Sequence, residues 1–579
     1  MKRMLSLLLA LCMILCLGTA AADGYTAGTY TASSQGMKPM TLEVTFSDAA
    51  ITEIKIAEHG ETYGIGWGLD ASPVEAVPAW IIENQSLAVD MVTGATITTR
   101  AIVNGVADAV AQAGADAEAL KAKTVAAEVA DKVLECDVVV AGAGAAGLGA
   151  AVSALENGAS VILLEKQGVT GGSTTRSGGY FIAAGTSLQK AQGIEDSPEA
   201  FFDFYKSIGG DLINDEKVMD FCVNSAACYE WIVANGAQFD GVTTVHPTHT
   251  ELRVHNSLGG QFMGTGQGGQ MTAPMTKAFT DKGGQLIYNA AADGLVLDAE
   301  GKVAGLTATM KDGSKLTVNA KAVILATGGY AGDAAKVNEL HFCKPATYSV
   351  PTSVTGDAVK IAEAVDAKVE WTDAANISMV SFTCGVGCYG EAAGMIASDK
   401  GERMCNEYCY FYTYTEALLK AGSPYGWYIT DADDPFPTAQ YGMMIESTPH
   451  AATAAELAEL IGADPATLEA SIARYNELCA AGEDKDFGKP AEYMNALDKE
   501  LYAIKLSPSI SGTYGGVLTD VESQVINNAG EVVPGLYAAG EASFNGLVGS
   551  EYPVCGTAIG MAFYFGQVAG ENAAAFAGK

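Results

Sequence analysis

The chain has 579 residues, of which 49% are hydrophobic and 17% charged, and its formal net charge is −35. It is longer than the roughly 250–300 residues at which a single core stops growing, so more than one domain is expected. The acidic balance argues against nucleic-acid binding and against adsorption to an anionic membrane surface, because both need clustered cations. The 12 cysteines include no Cys-x-x-Cys pair, so the sequence predicts no metal site.

Residues 1–22 have the pattern of an export signal. Lys2 and Arg3 supply a positive start, and the apolar run 4–17 is shorter than the about 20 residues of a membrane-spanning helix. Three alanines at 20–22 fit a small-residue cleavage site. We therefore expect a protein that is secreted or held at the cell surface, and that is soluble once the signal is removed.

Changes in composition along the chain predict the domain organisation. Strand-like runs followed by a helical stretch come first, and an Ala/Lys/Glu-rich linker follows them. Signals of nucleotide binding then appear early in the long α/β body and again at its C-terminus, but are missing between the two. We predict an α/β protein made of a small α+β domain (23–115), a linker (116–134), a Rossmann-like domain (135–335 and 509–579) and an inserted capping domain (336–508).

The segment 136–166, CDVVVAGAGAAGLGAAVSALENGASVILLEK, carries a dinucleotide-binding fingerprint. A buried strand enters Gly142-x-Gly144-x-x-Gly147, and a helix and a second strand ending at Glu165 follow. Such glycines form a tight turn and let the backbone approach a pyrophosphate, whereas the acid binds ribose hydroxyls. Each glycine alone would fit an ordinary turn, but the order of strand, glycines, helix and acid indicates a dinucleotide.

Later motifs indicate that this dinucleotide is FAD. The segment 171–179 (GGSTTRSGG) resembles the second phosphate loop of the fumarate reductase/succinate dehydrogenase flavoprotein family. The segments 326–329 (ATGG) and 535–541 (GLYAAGE) match two further FAD motifs of that family, and the resemblance covers nearly all of 135–579. Besides the three glycines of the fingerprint, the FAD contacts that the resemblance implies are Ala146, Glu165, Ser173, Thr174, Gly178, Gly179, Asp357, Glu541, Ala558 and Ile559.

Residues 90–96 (DMVTGAT) resemble the flavinylation motif of the FMN-binding domain found in sodium-pumping quinone reductase subunits and extracellular flavin reductases. The resemblance implies that a flavin transferase attaches FMN through a phosphoester to Thr96. A helix that we predict to start near Thr99 would favour the phosphate. A Thr-rich loop that caps a helix is the alternative, but fusion to a flavoenzyme body, as in urocanate-reductase-like proteins, favours covalent FMN.

The residues that bind a carboxylate substrate in the fumarate reductase family are replaced here. Phe411 stands at the position of the general-acid arginine, Gly512 at that of a histidine, and Pro553 at that of a C-terminal arginine. A buried carboxylate without cationic partners is costly, so reduction of fumarate itself is disfavoured.

The segment 552–560 (YPVCGTAIG) resembles the C-terminal motif of 3-ketosteroid dehydrogenases. In that family the tyrosine hydroxyl and the glycine N–H bind the C3 carbonyl oxygen, which assigns these roles to Tyr552 and Gly556. Two such donors stabilise the negative charge that builds on the carbonyl oxygen as hydride moves between the flavin and the β-carbon of an enone. Packing of Tyr552 against FAD, with Gly556 as a helix-start glycine, is the alternative.

A proton donor or acceptor is also needed. The tyrosine-rich run 408–414 flanks the lost arginine position, and a tyrosine can fill this role. Tyr410 and Tyr412 are the candidates, and an aromatic wall of the substrate site is the alternative.

Three functions are compatible with these motifs. The first is an exported FMN- and FAD-dependent reductase of a C=C bond conjugated to a ketone, such as a 3-ketosteroid-like enone, fed by a membrane-associated electron donor. The second is a reductase of an acrylate-type carboxylate such as urocanate or cinnamate. The third is a flavin electron carrier without a small-molecule substrate.

Overall fold

The computed structural model describes residues 24–61, 72–92, 95–125, 130–244, 251–258, 267–341, 343–345, 347–381, 386–388, 392–408, 411–549 and 552–579. The chain divides into two compact units, with the main boundary between Ala130 and Asp131. The α-helices are α1 (Pro73–Asn84), α2 (Thr96–Gln112), α3 (Ala117–Ala122), α4 (Ala145–Glu156), α5 (Gly172–Arg176), α6 (Ser187–Ala191), α7 (Pro198–Gly209), α8 (Asp215–Ala234), α9 (Gly269–Asp281), α10 (Ala334–His341), α11 (Asp357–Ala362), α12 (Phe411–Lys420), α13 (Pro437–Met443), α14 (Ala454–Ile461), α15 (Pro465–Ala481) and α16 (Thr557–Phe576).

The strands are β1 (Gly28–Gln35), β2 (Pro39–Phe46), β3 (Ile51–Glu58), β4 (Lys132–Ala141), β5 (Val161–Leu164), β6 (Tyr180–Ile182), β7 (Phe239–Thr243), β8 (Val254–Ser257), β9 (Gln285–Ile287), β10 (Ala290–Leu297), β11 (Val303–Met310), β12 (Lys315–Leu325), β13 (Thr347–Tyr348), β14 (Val369–Ser381), β15 (Val386–Cys388), β16 (Met395–Ser398), β17 (Gly426–Thr430), β18 (His450–Ala451), β19 (Leu501–Val517), β20 (Gln524–Ile526) and β21 (Val532–Ala538). Short 3-10 segments cover Gly210–Leu212, Glu363–Val365, Ala491–Tyr493 and Gly540–Ala542.

The first unit contains a three-stranded antiparallel sheet in the order β1-β2-β3, against which α1 and α2 pack. Alternate residues of β2, among them Met40, Leu42 and Val44, are fully buried, as expected for a strand with one face on a core. The helix α2 can approach this face because Gly105 has no side chain: a Cβ there would lie 2.3 Å from Leu42 Cδ1. The unit has the predicted α+β character.

The helix α3 lies inside the predicted linker. Asp116 accepts hydrogen bonds from the backbone N–H groups of Glu118 and Ala119, at 2.9 and 3.2 Å, and so caps this helix. Leu120 packs against the core of the first unit, so this part of the linker is structurally continuous with that unit. The strand β4 already begins at Lys132, before the predicted start of the nucleotide-binding domain at residue 135.

An eight-stranded sheet forms the centre of the second unit. Its main order is β10-β11-β12-β4-β5-β9, with β21 beside β12 and β20 beside β21. The pairs that β4 forms with β12 and with β5 are parallel. Val138 and Val140 of β4 face one hydrophobic core, whereas Val139 and Ala141 face another. This burial on both faces explains the continuous apolar runs in the sequence.

The helices α4 and α16 pack closely through small residues. A Cβ at Gly149 would lie 2.9 Å from the carbonyl oxygen of Phe563, and one at Gly566 would lie 2.3 Å from that of Ala146. The contact ties the C-terminal helix, which carries Ala558 and Ile559 in its first turn, to the helix that begins at the glycine fingerprint.

The predicted capping region contains most of a seven-stranded sheet with the main order β15-β14-β19-β17-β16. The first half of β19 pairs with β17 and its second half with β14, so the predicted boundary at residue 508 falls inside one continuous strand. The end of β19 is still paired with β14, and Gly516 also forms a bridge with Ser543 of the nucleotide-binding region.

The described residues confirm the predicted class, an α/β protein with a small α+β region at its N-terminal side. None of the helices in these residues combines the length and apolar character needed to cross a bilayer.

Candidate active site

The glycine fingerprint forms a tight turn between β4 and α4. Gly142 has a φ of +99°, and a Cβ there would lie 2.4 Å from the carbonyl oxygen of Ala326. A Cβ at Gly147 would lie 1.7 Å from the carbonyl oxygen of Gly142, whereas one at Gly144 would have its nearest neighbour, Gly171 O, 4.0 Å away. Gly142 and Gly147 therefore close the turn, and Gly144 leaves open the space into which a pyrophosphate fits at the start of a helix.

The acid at the end of the second strand is held against this turn. Glu165 is buried, and its Oε2 atom accepts a hydrogen bond from the Ala143 N–H at 2.9 Å. The carboxylate therefore stabilises the glycine turn. It also lies at the position of the ribose-binding acid in the fingerprint.

The next residue, Lys166, was not singled out by the sequence. Its Nζ atom donates to Asp357 Oδ2 at 2.9 Å and to the carbonyl oxygen of Ser353 at 2.9 Å. Thr355 donates to the other Asp357 oxygen at 2.8 Å. Asp357, a predicted FAD contact, is thus held at the start of α11 by an ion pair that joins two distant segments. The only local sequence signal for this ion pair is that a lysine directly follows the acid of the fingerprint.

The second phosphate loop contains the short helix α5, which includes Ser173 and Thr174. Gly171 and Gly179 adopt φ values of +104° and +73°, which glycine tolerates without strain. Ser177 Oγ donates to the Thr174 carbonyl oxygen at 2.7 Å and closes the loop ahead of Gly178 and Gly179.

Glu541 is a half-buried residue whose carboxyl group lies close to backbone. A Cβ at Gly512 would lie 2.9 Å from Glu541 Oε1, and one at Gly329 would lie 2.9 Å from Oε2. Burial raises the pKa of Glu541 to about 7, although backbone N–H groups of Thr513 and Gly329 favour its ionised form. The glycine that replaces the family's histidine therefore lies directly against this predicted FAD contact.

Tyr552 and Gly556 meet at the start of α16. Gly556 is the N-cap residue with a φ of +90°, and a Cβ there would lie 2.9 Å from the Ile182 nitrogen. The Tyr552 hydroxyl oxygen accepts a hydrogen bond from the Ala558 N–H at 2.8 Å. Burial raises the pKa of the Tyr552 phenol, so its O–H stays protonated and can donate at neutral pH. The structure brings this predicted pair together at a helix N-terminus.

The predicted proton-donor candidates, Tyr410 and Tyr412, lie at the start of the helix α12 or just before it in the sequence. Tyr410 lies outside the described residues, and Tyr412 lies in the first turn of α12. Phe411, at the position of the family's arginine, is the first residue of that helix.

In the first unit, α2 begins at Thr96 rather than near Thr99. Thr96 is exposed and follows Ala95, which has no side chain able to cap the helix. Thr99 lies within the first turn of α2, where its hydroxyl donates to the Ala95 carbonyl oxygen at 2.9 Å. An exposed hydroxyl in the first turn of a 17-residue helix suits a phosphate, because the N–H groups of that turn lack partners within the helix.

Comparison with known proteins agrees with this geometry. Residues 137–559 match the FAD binding domain family, which covers more than half of the chain. The chain belongs to this family. Residues 36–111 match the FMN-binding domain, so both flavin-binding domains are present.

Two relatives of known activity and one solved structure are similar to this chain. The chain is 31% identical to urocanate reductase of Eggerthella lenta, over 96% of this chain and 94% of that protein. It is 30% identical to a fumarate reductase (cytochrome) of Shewanella frigidimarina, over 76% and 78% of the two chains. The structure of a 3-ketosteroid-Δ4-(5α)-dehydrogenase from Rhodococcus jostii, in complex with 4-androstene-3,17-dione, has a TM-score of 0.65 and 27% identity, covering 76% of this chain and 97% of that one. The protein is therefore an FAD-dependent oxidoreductase that acts on CH–CH groups, and a reductase of C=C bonds.

Proposed function

We propose that the protein reduces a C=C bond conjugated to a ketone, with a 3-ketosteroid-like enone as the favoured substrate. The observation that carries this proposal is the meeting of Tyr552 and Gly556 at the N-terminus of α16. Bound FAD would supply the hydride for the C=C bond.

The arrangement suits a carbonyl oxygen that gains negative charge. The Tyr552 oxygen accepts the Ala558 N–H at 2.8 Å, which polarises the phenol and strengthens its own O–H as a donor. The positive end of a 20-residue helix dipole lies at the same place. Together with the Gly556 N–H, the Tyr552 hydroxyl would form an oxyanion hole, which lowers the barrier only if both donors are aimed at the reacting oxygen.

The proposed site offers little to a carboxylate substrate. Gly512 and Pro553 stand where relatives of the fumarate reductase type carry cations, and the Arg403 guanidinium is already paired with Glu407 and Asp484. A ketone needs no compensating cation, so this composition favours an uncharged acceptor.

Reduction of an acrylate-type carboxylate is the second candidate. It is favoured by the 31% identity to urocanate reductase over nearly the whole chain. This candidate needs a cation in the capping region, other than Arg403, that binds the carboxylate.

The supply of electrons is also a proposal. FMN attached to Thr96 by a flavin transferase would supply electrons from a membrane-associated donor, and the protein would act outside the cytoplasmic membrane after loss of residues 1–22. The exposed hydroxyl at the start of α2 and the export-like sequence support this arrangement.

The test is anaerobic oxidation of reduced methyl viologen by the purified protein loaded with FAD and FMN. The acceptors are 4-androstene-3,17-dione, 2-cyclohexenone, urocanate, cinnamate and fumarate, and a saturated 3-ketosteroid is the control. We expect turnover with the enones and none with the saturated ketone. Turnover with the acrylates alone would contradict the proposal in favour of the second candidate, and turnover with no acceptor would favour a flavin electron carrier.

A further inference from the structure

Three aromatic rings form a buried stack that ends at the proposed carbonyl-binding tyrosine. The rings of Tyr514 and Tyr552 are nearly parallel, with an interplanar angle of 7° and a centroid distance of 5.9 Å. Phe544 lies beside Tyr514 with a centroid distance of 5.6 Å and an angle of 29°. All three residues are buried, so the stack is part of the protein interior.

Hydrogen bonds hold the backbone of the residue that carries the middle ring. The Tyr514 carbonyl oxygen accepts hydrogen bonds from the Tyr330 hydroxyl at 3.3 Å and from Thr372 Oγ1 at 3.2 Å. The Phe544 N–H donates to the carbonyl oxygen of the next residue, Gly515, at 3.0 Å. Tyr514 therefore cannot shift along the stack without breaking contacts to three other segments.

The residues after Tyr514 make this part of β19 still less adaptable. Gly515 and Gly516 have φ values of +112° and +105°, and Cβ atoms there would lie 2.7 Å from Glu370 O and 2.3 Å from Ala542 O. Only glycine fits such positions, so this part of the strand packs closely against Glu370 and Ala542.

Two of the contacts of Tyr552 bear on the orientation of its ring. Its hydroxyl accepts a hydrogen bond from the Ala558 N–H, and its ring lies nearly parallel to the neighbouring ring of Tyr514. The hydrogen bond fixes the distance of the oxygen from α16, but it still permits the ring to tilt about that oxygen. The neighbouring ring prevents this tilt. A smaller side chain at position 514 would leave a space beside the ring, into which Tyr552 could move.

We propose that Tyr514 is a positioning residue, which acts through Tyr552 to aim the phenol O–H at the carbonyl oxygen of the substrate. The inference rests on the proposed role of Tyr552. An oxyanion donor works only within a narrow range of positions, so a small tilt of Tyr552 lowers the rate of the chemical step more than it weakens substrate binding.

The test compares four single and three double variants of the FAD- and FMN-loaded protein, with 4-androstene-3,17-dione as acceptor and reduced methyl viologen as donor. Tyr514→Phe keeps the ring, Tyr514→Leu removes it, and Tyr514→Met replaces it with a longer, flexible side chain that has no flat face. Tyr552→Phe removes the hydroxyl, and each position-514 variant is also made in that background. We expect Tyr514→Phe to keep wild-type kcat and Tyr514→Leu to lose up to about 10²-fold in kcat, with little change in KM. Tyr514→Met should lie between them.

The decisive comparison is the double variant. If Tyr514 acts through the Tyr552 hydroxyl, Tyr514→Leu should lower kcat little further once that hydroxyl is gone. Equal fold losses in the two backgrounds, or wild-type kcat for Tyr514→Leu, would overturn the positioning role and leave the carbonyl site intact. Wild-type kcat for Tyr552→Phe, or no turnover of the enone by the wild type, would overturn both the positioning role of Tyr514 and the carbonyl-binding role of Tyr552. Tyr514→Met supplies the same comparison if the leucine variant does not fold, and FAD content checks folding throughout.

Discussion

The Arg403 guanidinium and the Glu407 carboxylate form a bidentate ion pair, with Nε–Oε1 and Nη2–Oε2 distances that are both 2.8 Å. Asp484 pairs with the same guanidinium through Nη1 and Nη2, at 3.2 and 2.8 Å. The side chains of these three residues are at most 6% exposed. The positive charge of Arg403 is therefore used inside the capping region and is not directed at a substrate.

We expect Arg403→Met to destabilise the protein by about 3–5 kcal/mol, because it leaves Asp484 buried without its guanidinium and leaves Glu407 with Lys489, at 3.4 Å, as its ion-pair partner. Burial raises the pKa of Asp484, but the hydrogen bonds and charge of Arg403, together with the backbone N–H groups of Lys489 and Phe487, outweigh this effect and hold the pKa at about 2. Without the guanidinium, the Asp484 carboxyl should take up a proton more readily. Urea unfolding at pH 7, followed by tryptophan fluorescence, measures the loss.

Arg474→Met is the matched control. Arg474 also forms a bidentate pair, with Asp486 at 2.7 and 2.8 Å, but its side chain is 50% exposed. Exposed pairs contribute at most about 1 kcal/mol, so this variant should unfold close to the wild type. A folded Arg403→Met protein whose KM rises for a carboxylate acceptor but not for an enone would contradict the structural role of Arg403.

Gly556→Ala should abolish most of the activity. The substitution forces an L-residue into a φ of +90° and places a Cβ 2.9 Å from the Ile182 nitrogen and 3.0 Å from the Phe181 carbonyl carbon. Either β6 or the start of α16 must move, which displaces the Gly556 N–H and the Tyr552 partner Ala558. We expect at least about a 10²-fold loss of kcat with the enone, measured by viologen oxidation.

Gly578→Ala separates this effect from backbone strain. Gly578 follows the other end of α16 with a similar φ of +84°, but a Cβ there meets nothing within 4 Å. The control should lose about 1–2 kcal/mol of stability and keep its turnover. Equal turnover of the two variants would show that the local position of Gly556 does not matter for the reaction.

The local motifs predicted much of the fold and part of the site. Short sequence spacings determine a glycine turn, and the pair Tyr552 and Gly556 lies four residues apart, so both could be placed in advance. The contacts of Tyr514 with Tyr552, and of Lys166 with Asp357, join segments far apart in the chain. No local pattern encodes such contacts, because they depend on how the sheets pack.

The stability of the FAD-free protein should fall as pH rises from about 4.5 to about 7 because of Glu541. Over this window the unfolded carboxyl loses its proton while the folded one, with its pKa raised by burial to about 7, retains it. The unfolded state then binds fewer protons, so the free energy of unfolding decreases with pH, by about 3 kcal/mol in total.

The difference in unfolding free energy between the wild type and Glu541→Gln isolates this effect. His255 acts in the opposite direction, because burial lowers its pKa to about 4 and its stabilisation is lost as pH falls below 6.5. It is present in both proteins and cancels in the difference. Urea titrations at pH 5, 6 and 7 should show the wild type losing stability relative to the variant; a constant difference would mean that Glu541 is ionised throughout.

Thr96→Ala should remove FMN and leave FAD in place. The proposed phosphoester needs the Thr96 oxygen, which lies exposed in the first turn of α2, whereas the FAD fingerprint lies in the second unit. The variants are expressed together with a flavin transferase and unfolded in acid, and flavin fluorescence that stays with the polypeptide is then measured by denaturing electrophoresis. Thr96→Ser keeps a hydroxyl and should retain the covalent flavin. Covalent FMN in the alanine variant would move the attachment site to another residue, and a wild type without covalent flavin would show that the FMN-binding domain holds its cofactor by non-covalent contacts alone.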